Sequence, residues 1–416
     1  MLYNINMKYI LILGDGMSDT ATPSPLSVAK KPLIDELATK AYALGLCQTV
    51  PPDQQPGSDV ANMSILGYDP GLYYTGRSPL EALSMGINLI DGDLAIRCNL
   101  LSLRNPSGGW HGDCLDTQIM HDYSADSISS EDAAELIAYL NAHLPLGSLE
   151  LYSGVSYRHC LVVRRLELPK SGIDTKIFYT PPHDIADRPI KDYLPGGTLR
   201  LLMDEAYKLL DKHPINIQRI SAGKAPANSI WFWGQGFSPI VPSFGKLHGI
   251  SGSMIAAVDL LKGLGLAAKM DVPVAPGATA DINTDYHSMV DSALASLKTN
   301  DFTYIHIAAP DECGHAGDYA QKVKAIELID SEVLAYMLPK LDKAYPDYTI
   351  ILMPDHSTPV ALKTHTRDSV PFMVYAKNRQ ISNPRAKFTE TYAASTGLIL
   401  DKGHTLLTKV ISGKLV

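Results

Sequence analysis

The chain has 416 residues, with 36 Lys and Arg against 44 Asp and Glu and a formal net charge of −8. That length exceeds what one hydrophobic core usually serves, so two domains are expected, and the acidic balance argues against a surface that binds a nucleic-acid backbone. The cysteines (Cys47, Cys98, Cys114, Cys160 and Cys313) include no Cys-x-x-Cys pair, which argues against a disulfide framework and a zinc knuckle and points to a reducing cytoplasm.

The N-terminal apolar run is too short to span a membrane and leads into Gly-Asp-Gly instead of a small-residue cleavage site, so neither an anchor nor a signal peptide is expected. In KYILILGDGMSD the residues Tyr9 to Leu13 read as a buried strand that ends at Asp15, held between Gly14 and Gly16. Glycines beside an acid at a strand end allow backbone to approach a ligand closely, though they also make ordinary turns. The segment PLSVAKKPLIDELATKA predicts a loop and then a helix with Leu33, Leu37 and Ala41 on one face. Next, VPPDQQPGSDVANMSILGYDP places Ser58 at a helix start. There it is either a simple N-cap or a nucleophile whose phosphorylated form the helix N-terminus would stabilise. As a nucleophile it needs activation, which a divalent cation on its hydroxyl would supply without a neighbouring His base.

A helix in TGRSPLEALSMGINL is followed by a pattern break at IDGDLA. From Asp91 to Trp233 the chain alternates strand-like runs (LAIRCNLLSL, RHCLVVRRLEL) with two helical patterns, SSEDAAELIAYLNAHL and GTLRLLMDEAYKLLDKH. We expect residues 91–233 to form an inserted α+β domain, and residues 1–90 with 234–416 to form a discontinuous metal-binding α/β domain around a mostly parallel sheet flanked by helices. The α/β pattern resumes at NSIWFWGQG and leads to two further buried strands, each ending in metal-type ligands. In TYIHIAAPDECGH the strand is followed by Asp311 and His315. In YTIILMPDHSTPVALKTHT it is followed by Asp355 and His356, with His365 returning after a short loop. Carboxylates and imidazoles just beyond strand ends sit where α/β sheets bind ligands, and their donor set suits Mn²⁺, Zn²⁺ or a similar ion. Between the two groups, Val323, Ile326, Ile329, Val333, Met337 and Leu341 form an apolar stripe that reads as core.

Taken together, GDGMSD, PGSDVANMSILGYDP, PDECGH and PDHSTP followed by Lys-x-His-Thr resemble the cofactor-independent phosphoglycerate mutases, archaeal-type branch, of the alkaline phosphatase superfamily. GVSYRHCLVVR, NSIWFWGQG, AAVDLLKGLG and PGATADINTDY extend the resemblance through nearly the whole chain. It implies an alkaline-phosphatase-like domain split by an inserted phosphotransferase domain, and two divalent ions, manganese foremost with magnesium, zinc or cobalt as alternatives. One ion would be held by Asp15, Ser58, Asp355 and His356, the other by Asp311, His315 and His365. Ser58 would accept the phosphoryl group of 3-phosphoglycerate and return it to the other hydroxyl, giving 2-phosphoglycerate. Neither bisphosphoglycerate nor a nucleotide would take part.

Arg97, Arg158, His159 and His183 lie in blocks similar to the family's substrate-binding segments, and Lys262 in AVDLLKGLG is a candidate for the phosphate. A solvated strand face for Arg158, a satisfied imidazole for His159 and a surface helix position for Lys262 are the plainer readings. The family usually carries glycine where Asp126 and Ala280 stand. The same metal core would also serve a homoserine kinase-like transferase or a metal-dependent phosphomonoesterase. No P-loop or Gly-rich kinase signature is present to bind ATP, which favours the mutase. The expected partner is a small phosphoglycerate, with neither nucleic acid nor membrane involved. The sequence does not set the oligomeric state.

Overall fold

The computed structural model describes residues 7–112, 114–177 and 179–416. The chain forms two compact units, one built from the residues up to Tyr74 together with Ile240–Val416, the other from Thr75–Pro239.

The first unit is an α/β body around a seven-stranded sheet, in the spatial order Ile399–Leu400, Ala43–Cys47, Val370–Ala376, Tyr348–Met353, Lys8–Gly14, Phe302–Ile307, Gly252–Ile255. Inside it, β1 (Lys8–Gly14) pairs in parallel with both β2 (Phe302–Ile307) and β3 (Tyr348–Met353). These strands are rich in β-branched and aromatic residues, and helices pack on them, so β2 and β3 are buried along their whole length. The single antiparallel strand on the path, Val370–Ala376, joins β3 to Ala43–Cys47. Because β1, β2 and β3 run the same way, their carboxyl ends open onto one edge of the sheet. Every Asp and His ligand expected from sequence follows one of those ends, and Ser58 follows Ala43–Cys47, which runs in the same direction.

The second unit is α+β. Its long strand Leu94–Arg104 pairs antiparallel with Ile119–Asp122, Arg158–Val163 and Ser229–Phe237, and Glu150–Tyr152 extends the sheet beyond Arg158–Val163. Helices Ser130–His143 and Gly197–Asp211 bury Leu136, Leu140, Leu202 and Leu210 against its apolar side.

Several expectations need adjusting. The unit begins at Thr75 and ends at Pro239, so the expected boundaries at 91 and 233 fall inside it. The reason is the helix Ser78–Ser84, which covers the other side of the same sheet: Arg97 N donates to Ser78 Oγ at 2.7 Å, and Ala82 packs with Ala95, Cys160 and Val162. The PLSVAKKPLIDELATKA segment is two helices, Pro25–Val28 and Pro32–Lys40, and Ile34 and Ala38 join Leu37 on the buried face. The stripe after the first ligand group is core, but its helix is not uniform. An interval of four residues overshoots a 3.6-residue turn by about 40°, and three such steps separate Ile329 from Leu341. A wider π turn over Ile329–Leu334 absorbs that drift, so Ile329, Val333, Met337 and Leu341 are all fully buried. Asp126 sits in a left-handed run with Ala125 and Ser127 (φ 57°, 51° and 47°), the conformation in which a glycine costs least. No helix among the described residues is long and apolar enough to cross a membrane.

Candidate active site

At the carboxyl end of β1 the chain turns sharply, and Gly16 is what permits it. Its φ is +57°, and a Cβ there would overlap Thr358 Oγ1 and Asp311 Oδ1. Asp15 N bonds Ile307 O at the end of β2 (2.9 Å), and Gly16 N bonds Asp355 Oδ1 beyond β3 (3.0 Å), so main-chain amides tie the three strand ends together. Asp311 and His315 lie on α2 (Ala309–Ala316), where an i, i+4 spacing puts both on one face. His365 comes back because a bridge between Ser357 and Thr366 closes the intervening loop.

The structure brings all seven expected groups of this unit together. His315 Nε2 stands 2.9 Å from His365 Nε2, 3.2 Å from Asp311 Oδ2, and His365 Nε2 is 3.5 Å from Asp311 Oδ1. His356 Nε2 lies 3.6 Å from Asp15 Oδ1, 3.4 Å from Asp355 Oδ2 and 3.1 Å from Ser58 Oγ. Ser58 opens α1 (Ser58–Ile65), but the cap position is Gly57, so the Ser58 hydroxyl is not spent on capping and faces His356 instead.

This arrangement fits divalent cations. Asp311, His315 and His365 offer three donor atoms within 4.8 Å of one another, as do Asp15, Asp311 and His356, and Asp15, His306 and Asp355. Asp15 Oδ1 is buried without a hydrogen-bond partner among the described residues, a costly condition that a cation would relieve. Burial, with the Asp355 and Asp311 carboxylates beside it, holds the Asp15 carboxyl well above the usual range. Burial works in the same direction on Asp311, but hydrogen bonds from His315 and His365 outweigh it and hold this carboxyl well below its usual range. The same bond raises His315 to about 9. Burial pushes His356 down, and takes His306 down to about 4.

Tautomers can be assigned from the surrounding network. His315 Nδ1 faces Lys363 O at 3.0 Å and must donate, which turns its Nε2 lone pair toward Asp311 and His365 once the ring is neutral. Thr358 Oγ1 donates its single proton to Asp311 Oδ1, so its 3.2 Å contact with His356 Nδ1 is one in which the ring donates. His356 Nε2 is then the free lone pair, aimed at Asp15 and Ser58. Both rings are thus set to ligate.

Four of the remaining expected residues lie in the second unit. Arg97 is buried, bonds Glu81 Oε1 at 2.7 Å and stacks over Trp233 with its guanidinium carbon 4.6 Å from the ring centre. His183 packs edge-on against the same ring at 5.4 Å and against Tyr123 at 5.9 Å, which in turn contacts Tyr157 at 5.7 Å. Arg158 pairs across the sheet from Asn99 and lies over Tyr157 at 5.4 Å, and its buried Nε has no hydrogen-bond partner among the described residues. Arg97, Arg158 and His183 therefore share one aromatic-lined region. His159 does not join them: next to Arg158 on the strand, it faces the opposite side of the sheet. It is buried, accepts from Gly154 N at Nδ1 (3.1 Å) and is pushed down to about 3, chiefly by burial, so it stays neutral and carries no proton at neutral pH beyond its own Nε2–H. Lys262, on the helix Asp259–Ala267 of the first unit, forms an i, i+3 ion pair with Asp259 at 3.2 Å.

A family model described as 2,3-bisphosphoglycerate-independent phosphoglycerate mutase matches residues 40–216. Over 410 residues the chain is 42% identical to the 2,3-bisphosphoglycerate-independent phosphoglycerate mutase of Methanosarcina mazei, a match that covers 96% of this chain and 98% of the relative. The chain belongs to this family. A more distant mutase, from Archaeoglobus fulgidus, is 34% identical over 414 residues and 96% of each chain. Among solved structures, a protein of Pyrococcus horikoshii is similar over 98% of each chain with a TM-score of 0.78 at 26% identity. The cofactor-independent phosphoglycerate mutase of Thermoplasma acidophilum covers 98% of this chain and 99% of its own, with a TM-score of 0.60 at 25% identity. Membership in this family of isomerases thus spans both units.

The candidate site also contains residues the sequence did not single out. His306, on β2, places Nε2 3.0 Å from Asp15 Oδ2. Asn62 Nδ2 donates to Asp355 Oδ2 and to Ser58 O, both at 2.8 Å, and its Oδ1 accepts from Tyr304. For Asn62 a signal existed, since it lies one helical turn after Ser58. A histidine inside an otherwise apolar strand was the only mark of His306. Nothing local marked Thr358.

Proposed function

We propose that this mutase interconverts 3-phosphoglycerate and 2-phosphoglycerate through a phosphoserine on Ser58, with two divalent cations and without bisphosphoglycerate or nucleotide. The observation that supports it best is the uncapped Ser58 hydroxyl, 3.1 Å from His356 Nε2 among converging Asp and His donors. Asp15, Ser58, Asp355 and His356 would hold one cation, and Asp311, His315 and His365 the other. Bound there, such ions lower the pKa of a coordinated hydroxyl and neutralise charge on a transferring phosphoryl group. Manganese suits the mixed carboxylate and imidazole set.

Ser58 Oγ forms a bond to phosphorus as the bond between phosphorus and the C3 oxygen of the substrate breaks, and glycerate is released from the phosphoryl group. The helix α1 presents its N-terminal amides to the phosphoserine. The C2 oxygen of the same glycerate then attacks, and Ser58 recovers its hydroxyl. Between the transfers the glycerate must be held, and Arg97 and Arg158 are assigned to its anionic groups because guanidinium forks match carboxylate and phosphate. His183, on the rim of the Trp233 region, is assigned to the substrate as well. His159 is better read as a structural imidazole.

The deciding experiment follows labelled phosphate. Purified protein with Mn²⁺, without ATP or bisphosphoglycerate, should move label from 3-phosphoglycerate to 2-phosphoglycerate with little release to water. Predominant release of free phosphate would make the protein a phosphomonoesterase. Phosphorylation of homoserine by ATP, with phosphoglycerate unchanged, would make it a kinase-like transferase.

A further inference from the structure

One charged side chain beside this site has no part in the chemistry described above. Lys322, on α3 (Tyr319–Leu328), is fully buried. Its Nζ donates to Thr358 O at 2.7 Å, to Ser18 O at 3.0 Å and to Asp19 Oδ2 at 3.1 Å, which uses all three ammonium protons. Burying an ion pair is costly, and an apolar side chain of similar volume would serve packing at least as well. Two of the three acceptors are main-chain carbonyls, so the ammonium does more than neutralise Asp19.

Those carbonyls belong to different loops. Ser18 lies three residues after Asp15, in the loop leaving β1, and Thr358 lies two residues after His356, in the loop leaving β3. Asp19 Oδ2 also accepts from Val360 N at 3.0 Å, so the buried pair links the two loops a second time. Glu390 grips the first loop from another side, accepting from Asp19 N at 3.1 Å and Ser24 Oγ at 2.7 Å. Thr358, fixed at its carbonyl by Lys322, uses its hydroxyl to bond Asp311 and His356, one residue from each proposed metal group.

We propose that Lys322 is a positioning residue for the metal pair: its ammonium clamps the Asp15 loop to the His356 loop and, through Thr358, sets the spacing of the two ligand groups. This rests on the two-metal reading of the site. Lys322 touches neither substrate nor cation. Its effect is on how well the ligands are preorganised.

The test is calorimetric titration of Mn²⁺ into chelator-treated full-length protein. Lys322→Met alone leaves Asp19 buried without its partner and can fail to fold, so the working variant is Lys322→Met with Asp19→Asn, which removes both charges. Thr358→Val deletes the transmitting hydroxyl, and Thr358→Ser keeps it. Loss of such supporting contacts typically weakens metal affinity by about 10–100-fold, and that loss is expected for the double variant and for Thr358→Val, with near-UV circular dichroism unchanged. Thr358→Ser should stay near the wild-type affinity. A folded double variant or Thr358→Val that binds two Mn²⁺ as tightly as wild type overturns the clamp and leaves the two-metal reading standing. A wild-type protein that takes up no Mn²⁺ overturns both.

Discussion

Asn62 offers a quantitative test of how the nucleophile helix is joined to the ligand loops. Its side chain is fully buried, donates to the Asp355 carboxylate and to Ser58 O at 2.8 Å each, and accepts from the Tyr304 hydroxyl on β2. Asn62→Leu removes these bonds at similar bulk. A hydrogen bond to a charged group contributes about 1.5–3 kcal/mol, and stranding the Tyr304 hydroxyl costs a further ~1–3 kcal/mol, so the cation-free protein should lose about 2.5–6 kcal/mol. Tyr304→Phe in the wild-type background should destabilise, because it leaves Asn62 Oδ1 unsatisfied. In the Asn62→Leu background the same change removes an orphan and should be neutral or stabilising. The coupling in the double-mutant cycle is therefore expected at about 1–3 kcal/mol. Urea unfolding followed by far-UV circular dichroism measures it. Trp110, Trp231 and Trp233 all lie in the second unit, so tryptophan fluorescence serves as a control that should move less. Additivity of the two changes within about 0.5 kcal/mol would refute the reasoning.

Ser58→Ala should lower mutase turnover by on the order of 10⁴-fold or more while metal uptake by Asp311, His315 and His365 persists. Mass spectrometry of wild type with substrate should find phosphate on Ser58, and a stable phosphate on another residue would sink the assignment. His315 is raised from 6.5 to about 9 by its bond to Asp311, so in cation-free protein this pair adds stability that is fully present below about pH 6.5 and is lost as pH rises through about 9. Thermal scans across that window should show the decline. Adding Mn²⁺ near pH 7 should release about one proton from His315, which an indicator dye would register, and no release would contradict the raised value. Glu81→Gln leaves the buried Arg97 without its carboxylate, and breaking such a pair should cost about 3–5 kcal/mol in the tryptophan-detected unfolding transition. An unchanged transition would show that Trp233 and its neighbours hold Arg97 unaided.

Much of the first unit was legible because its signals are local. Apolar β-branched runs mark β1, β2 and β3, and the acid or imidazole that follows each run marks the ligand loops, since buried parallel strands and the groups just beyond their carboxyl ends need no knowledge of distant partners. Long motif strings then carried the family. What sequence could not decide depends on pairs far apart in the chain. The second unit begins at Thr75 because the helix Ser78–Ser84 covers a sheet whose strands come from residues 94–237, a contact that no composition break announces. His159 looked like a companion of Arg158, but strand alternation turns them to opposite faces, and only the pairing register shows which face meets Trp233. Ser58 could have been a cap until Gly57 was seen to hold that position. Asn62, His306, Thr358 and Lys322 owe their importance to partners 36 to 304 residues away. The chain alone determined which residue types could bind cations. Tertiary packing decided which of them are oriented, and by what, because a hydrogen bond acts over about 3 Å of space and not along the sequence.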